Sequence, residues 1–308
     1  MQKAYITALC ELAEKDRNVL SLLADSGTGY DELFRRYYPD QILDFGIAEE
    51  NMVSVGAGLA MCGKIPFVYT AGAFLAYRSF EFIRNDVCYQ NLNVKIVGMG
   101  SGLSWSTLGP SHHTTEDLGA LRALPNLTIF SPACPREVKE CVRAAYEIKG
   151  PVYIKIGMNQ EPETGGEGMF RVGKNIELKC GKDICIFTTG SIASEVLKAA
   201  ELLEEKGISA AVVNVPTIKP FDAENVLESA GKYAALFTVE EQSITGGIGS
   251  AVAEVLAENR AAGVGFKRIG LENCFAAGYG THEQVRRANR LDGKGICERI
   301  LSCMEEIR

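Results

Sequence analysis

No CxxC pair occurs in this chain of 308 residues, although it carries ten cysteines, at 10, 62, 88, 134, 141, 180, 185, 274, 297 and 303. Structural zinc sites and thioredoxin-like redox motifs need such close pairs, so both are excluded. Cysteines this scattered read as small buried hydrophobes in a reducing compartment. Long apolar runs are also missing. Polar residues interrupt every one well short of the ~20 residues a membrane span requires, so no membrane partner is expected. No block of Lys or Arg offsets the 39 acidic against 32 basic residues, and the net charge of −7 argues against nucleic acid. The opening Met1-Gln2-Lys3-Ala4-Tyr5 has no signal-peptide core, which points to a cytoplasmic protein. Phosphate-binding glycine patterns fail in detail. After Gly98, Gly100 and Gly102 the closing glycine of a GxGxxG is replaced by Leu103 or Trp105. Gly246-Gly247-Ile248-Gly249-Ser250 lacks its closing glycine at Val252, and a tight strand-to-helix turn explains it better.

What is present is an ordinary globular balance, 46% apolar and 23% charged, over about two domain lengths. Asn18–Ala24, Ile65–Thr70, Asn93–Val97, Leu127–Phe130 and Val152–Ile156 are short and rich in Val, Ile and Leu, as strands buried on both faces are. Helical patterns at Glu49–Cys62, Phe74–Gln90 and Pro135–Ile148 separate them. The alternation predicts an α/β fold with a parallel sheet covered by helices on both sides. A glycine-rich, charged stretch over 161–181 reads as linker and domain entry. Alternation then resumes with Ile184–Thr188, Ala210–Val215, Ala234–Val239 and Gly265–Ile269, and with a helix that Ser191 caps and Gly207 stops. Two α/β domains are expected, 1–160 and 182–308.

Functional candidates are few. His112, His113 and His282 are the only histidines. Neighbouring histidines on an extended loop point to opposite sides, so His112 and His113 make a poor joint metal site, and no metal site is expected. Their loop, Ser104–Asp117, is polar and turn-rich and follows a strand, where α/β proteins place functional residues. Glu49-Glu50 open a helix, which the helix dipole alone can explain. Phe74, Tyr77 and Phe80, at i, i+3 and i+6, form what is ordinarily a core-facing stripe.

Together these segments resemble one family. Asp44-Phe45-Gly46-Ile47-Ala48-Glu49-Glu50-Asn51-Met52, followed by Gly56-Ala57-Gly58-Leu59-Ala60, looks like the signature opening the pyrimidine-binding domain of transketolases. Gly109-Pro110-Ser111-His112, Leu121-Arg122-Ala123-Leu124-Pro125-Asn126 and Thr217-Ile218-Lys219-Pro220-Phe221-Asp222 match later segments in the right order. The GDG…N segment of a full transketolase, which holds the cofactor diphosphate through a divalent cation, has no counterpart. The resemblance therefore implies the C-terminal half of a split transketolase: a pyrimidine-binding domain followed by a transketolase C-terminal domain, each a three-layer α/β/α unit. It implies thiamine diphosphate as cofactor, Mg2+ or another divalent cation held mainly by a partner, and an N-terminal partner subunit in an α2β2 assembly.

The resemblance also assigns roles. Glu49 falls on the glutamate that shares a proton with the aminopyrimidine ring, a role requiring a dry pocket that favours its neutral form. Phe74, Tyr77 and Phe80 fall on the aromatic wall around that ring, and Asp25 on an acidic residue near the cofactor. His112 falls on a histidine facing the substrate, with His113 secondary and His282 structural. Three departures bear on substrate: Gly100 replaces a histidine, Leu108 an aspartate, and Ser131 the arginine that grips an acceptor phosphate. Arg78, Arg84 or partner residues are the candidates for compensation. A non-standard sugar is expected. The alternatives are another thiamine-diphosphate half-enzyme, resembling 1-deoxyxylulose-5-phosphate synthase or a 2-oxoacid dehydrogenase β subunit, and a non-catalytic stabilising or regulatory subunit.

Overall fold

Short runs with no polar face become the interior strands of two sheets. The computed structural model describes residues 1–25, 29, 31–158, 161–165, 169–261 and 263–307. In chain order the strands are β1 (Val19–Leu23), β2 (Ile42–Asp44), β3 (Ile65–Ala71), β4 (Lys95–Met99), β5 (Thr128–Phe130), β6 (Val152–Ile156), β7 (Ile176–Lys179), β8 (Ile184–Thr188), β9 (Ala210–Asn214), β10 (Thr217–Lys219), β11 (Ala235–Ser243) and β12 (Gly265–Leu271). Every residue of β1, β3, β4, β6, β8 and β9 is buried, as strands between two helical layers must be. One sheet runs β10-β5-β6-β4-β3-β1-β2 and the other β12-β11-β8-β9-β7. All pairs are parallel except β10 with β5 and β7 with β9, so the fold is α/β with two mostly parallel sheets flanked by helices.

Two of the antiparallel strands change the expected layout. Ile176–Lys179, inside the stretch read as linker, is β7, an edge strand on β9. Thr217–Lys219 belongs by sequence to the C-terminal half, yet it adds to the N-terminal sheet as β10, and Lys219 Nζ donates to the carbonyls of Arg122 and Leu124. Neither the four-residue β7 nor the three-residue β10 carries enough periodicity to be seen in the sequence. Residues 166–168 of the expected linker, and Asn159 and Gln160 just before it, lie outside the described residues.

Three local expectations are corrected. The helical run after β3 contains two π-helical turns, Phe74–Arg78 and Ile83–Cys88, around Phe80–Phe82. Leu75, Ala76 and Ser79 face inward there, Phe74 and Phe80 are half-buried, and Tyr77 is exposed, so the three aromatics are not a core stripe. Ser191 does not cap its helix. It lies in the 3-10 turn Gly190–Ile192 before Ala193–Glu204, and its hydroxyl accepts from Arg286. Of the cysteines, 88, 134, 141, 185 and 297 are buried, whereas Cys62, Cys180 and Cys274 are exposed.

Candidate functional site

The carboxyl ends of β1, β3 and β4 open onto a cleft of about 370 Å³, where an open parallel sheet places its ligands. Its floor is Ala24, Asp25, Thr70, Ala71 and Met99. Thr70 Oγ1 donates to the carbonyl of Ala24 at 2.6 Å and ties β3 to the end of β1. Asp25 follows with φ +39°, a left-handed conformation uncommon outside glycine and found where a site fixes the backbone. Ile47 and Glu49 line one wall, Phe74 and Arg78 a second, and Trp105, Leu108 and His112 a third.

Glu49 is the first residue of the helix Glu49–Met61, which has no side-chain N-cap. At 2% exposure it is nearly sealed from water. Its Oε2 accepts from Arg78 Nη1 at 2.7 Å, and the guanidinium carbon lies 5.1 Å from the Phe74 ring centroid. The side chain is thus buried, with the Arg78 guanidinium beside it. Arg78, expected to face substrate, is spent on Glu49 in the chain alone.

The aromatic wall is divided. Only Phe74 lines the cleft. The Tyr77 ring is exposed, but its hydroxyl donates to Glu116 Oε2 and accepts from the Glu116 N–H, and burial of that hydroxyl pushes its pKa up. Phe80 packs half-buried against the main core.

The two histidines part. His112 lines the cleft, its ring 5.0 Å from Phe74 edge-on and 6.0 Å from Trp105. Its Nδ1 is engaged by Ser111 Oγ, which leaves Nε2 for the cleft. His113 is 2% exposed with neither ring nitrogen bonded, and burial pushes its pKa down against the opposing pull of Glu241. His282 bonds Glu241 in the C-terminal half, where Arg286 also meets that carboxylate. Burial raises the Glu241 pKa, but the charges of Arg286 and His282 outweigh it and hold the carboxyl well below its usual range.

The departures from the family pattern take on shape. Gly100 has φ +85°, and a Cβ there would strike the Trp105 indole, so the chain's single tryptophan fills the space beside it. Leu108, 45% exposed, stands at the mouth of the cleft. Ser131 is 1% exposed and does not line the cleft; its carbonyl accepts from Gly190 N at the seam between the halves. Arg84 is exposed and turned to Asn85. The second glycine cluster is a turn, as expected: Ile248 N and Gly249 N donate to the Glu240 carboxylate, which fills this helix start. Trp105 was the residue missed by sequence reasoning, and its sole signal was its place in the histidine loop. Among the described residues, no three His, Cys, Asp or Glu side chains gather to hold a metal ion, and no helix is long and apolar enough to cross a membrane.

Comparison with known proteins agrees with this arrangement. Residues 1–158 match the transketolase pyrimidine binding domain and 173–296 the transketolase C-terminal domain. The chain is 38% identical to a putative transketolase C-terminal section of Methanocaldococcus jannaschii, over 99% of this chain and 96% of that one. It is 36% identical to one subunit of an apulose-4-phosphate transketolase of Actinobacillus succinogenes, over 92% of each. A solved split gene transketolase, an inactive β4 tetramer, superposes with TM-score 0.90 at 37% identity, covering 100% of this chain and 99% of that one. With both domains matched in order along the chain, the protein belongs to the transketolase family, a family of thiamine-diphosphate-dependent transferases, and corresponds to its pyrimidine-binding and C-terminal domains.

Proposed function

We propose that this chain is the pyrimidine-binding subunit of a split transketolase that moves a ketol unit from a ketose to an aldose and works only with an N-terminal partner. The observation that carries this reading is the Glu49–Arg78–Phe74 cluster. A planar, hydrogen-bonding guanidinium lies bonded to a buried carboxylate and beside an aromatic ring. A flat aminopyrimidine presents the same complement, so these residues fit that end of thiamine diphosphate. When bound, the cofactor supplies the carbanion chemistry of ketol transfer. Glu49 holds a proton at the ring nitrogen, and Phe74 keeps water from that face. Arg78 must first swing away, and its side chain, 42% exposed, has solvent to swing into. Asp25 lies within reach of the cofactor from the end of β1. His112 Nε2 donates to a substrate oxygen or returns a proton to it. His113 supports the loop behind it, while Tyr77 and Phe80 back the wall through Glu116 and the core.

The diphosphate and its divalent cation fall to the N-terminal partner in an α2β2 assembly, in keeping with the relative that is itself one subunit of an apulose-4-phosphate transketolase. The division we propose is 1–160 and 182–308, with β10 reaching across it. Five buried, unpaired cysteines suit a reducing cytoplasm. Trp105 beside Gly100 and Leu108 at the mouth favour a ketose other than the ordinary pentose phosphates. The test is co-expression with an N-terminal subunit and assay on a ketose panel. Thiamine-diphosphate-dependent ketol transfer is expected, and decarboxylation of an added 2-oxoacid in its place would overturn the reading.

A further inference from the structure

We propose that Glu241, in the C-terminal half, is a positioning residue for the cleft: it pins the loop 101–116, which carries Trp105, Leu108 and His112. The functional meaning rests on the reading of the cleft given above, but the pin itself does not.

The loop leaves β4 and returns to the helix Asp117–Arg122, and both its ends meet consecutive residues of β11. At the outgoing end the Leu103 N–H donates to Glu241 Oε1 at 2.8 Å. The Leu103 side chain, fully buried, belongs to the hydrophobic cluster of the C-terminal half, with Val239 and Val285. Gly102 lies flush against the same residue, since a Cβ there would stand 2.6 Å from the Glu241 carbonyl oxygen. At the returning end the Ser243 N–H donates to the Thr115 carbonyl at 2.9 Å. Gln242 Oε1 accepts from Lys155 Nζ, which also donates to the Thr114 carbonyl.

Between these anchors the loop is bonded to itself. Leu108 and Gly109 donate to the Trp105 carbonyl, and His112 and His113 donate to that of Gly109. Trp105 and His112 therefore move with Leu103 as one piece. Glu241 is itself held by Arg286 and His282, so the helix His282–Ala288 fixes the carboxylate that fixes the loop. With His282 on Oε1 and Arg286 on Oε2, the buried carboxylate is already partnered within its own half. Its additional bond to a backbone N–H of the other half is what ties it to the cleft.

The sole tryptophan lies in the pinned segment, so its emission reports the loop directly on the full chain, without cofactor or substrate. Glu241→Gln keeps the reach to Leu103 and gives up the charge; Glu241→Asp keeps the charge and gives up the reach. Asp is expected to red-shift Trp105 emission and raise its acrylamide quenching constant about twofold or more, as a released loop samples solvent. Gln is expected to leave both near wild type. The reverse ranking, or two folded variants with wild-type emission and quenching, would overturn the pin and assign Glu241 to the ion cluster alone. In the reconstituted complex, Glu241→Asp is expected to lower kcat while proton exchange at the cofactor's thiazolium carbon stays unchanged. Loss of that exchange would mean the residue acts on cofactor binding and not through the loop. Absence of ketol transfer in the wild-type complex would overturn the activity reading and leave the fluorescence result standing.

Discussion

Replacing Glu49 by Gln should separate stability from chemistry. In the chain alone the substitution keeps the side-chain shape and removes a charge from a site 2% exposed. The partner left behind, Arg78, has a side chain 42% exposed and turns to water. A pair with one half-exposed member contributes about 1 kcal/mol or less after solvent screening. The variant should therefore unfold within about 1 kcal/mol of wild type. Arg78→Met reverses the geometry, because it leaves a carboxylate with a 3% exposed side chain without its cation, and should cost about 1–3 kcal/mol. The difference between the two follows from which partner is buried. In the complex loaded with cofactor the order inverts. Glu49→Gln can no longer share its proton with the ring nitrogen, and exchange at the thiazolium carbon should slow about 10²-fold or more, with activity following. Arg78→Met should leave that exchange near wild type, since Arg78 must vacate Glu49 before the ring enters. Urea denaturation of the single chains and proton–deuterium exchange followed by NMR in the complex provide the two readouts. Unaltered exchange in Glu49→Gln, or a larger stability loss there than in Arg78→Met, refutes the reasoning.

Calorimetry on the isolated chain should show weak or no binding of thiamine diphosphate with Mg2+, and tight magnesium-dependent binding by this chain alone would remove the need for a partner. Gly100→His should lower the melting temperature and not raise activity on pentose phosphates, because a left-handed backbone and the Trp105 indole both exclude a side chain there; a stable, more active variant would count against it. Lys95 has its pKa lowered to about 7 by burial first and by Lys149 second, while the unfolded chain binds that proton up to 10.5. More protons are bound unfolded between these values, so this residue makes stability rise with pH from about 7 toward 10, and Lys95→Met should flatten that slope in pH-dependent urea melts. Xylulose 5-phosphate with ribose 5-phosphate should show kcat/KM roughly 10- to 100-fold below the preferred pair, the effect of losing a charge-assisted contact. Ordinary transketolase efficiency on that pair would show the contacts to be restored elsewhere.

Strands and helices were legible where the chain repeats one chemical choice over five or more residues. Val152–Ile156 and Ile184–Thr188 are mostly apolar, and both came out buried at every position. The three strands that escaped notice, β2, β7 and β10, are three or four residues long, and β10 crosses to the sheet of the other half. Crossing is decided by tertiary contacts such as those of Lys219, which no local pattern encodes. The aromatics after β3 misled for a different reason. Spacings of three and six place residues on one face only while the helix keeps its 3.6-residue period, and the π turns at Phe74–Arg78 and Ile83–Cys88 break it. The same irregularity turns Phe74 and Arg78 into the cleft.

The site divides along a similar line. The residues proposed to carry chemistry, Glu49 and His112, were marked by the order of the family motifs around them; by residue type alone the helix dipole was explanation enough for Glu49. Residues that shape the space were not, and here the departures were the more informative signal. A missing histidine at Gly100 reads from sequence as a lost contact. In the fold it is one side of an exchange: glycine with φ +85° lets Trp105 lie across the backbone, and the indole occupies the volume released. Trp105 then meets His112 at 6.0 Å, so the indole stands next to the histidine proposed to face substrate. The Leu103 anchor two positions before Trp105 belongs to the core of the other half. The cleft's walls are thus set by the seam between the two halves as much as by the sheet beneath them, and substrate preference can change along that seam while the Glu49 end stays as it is.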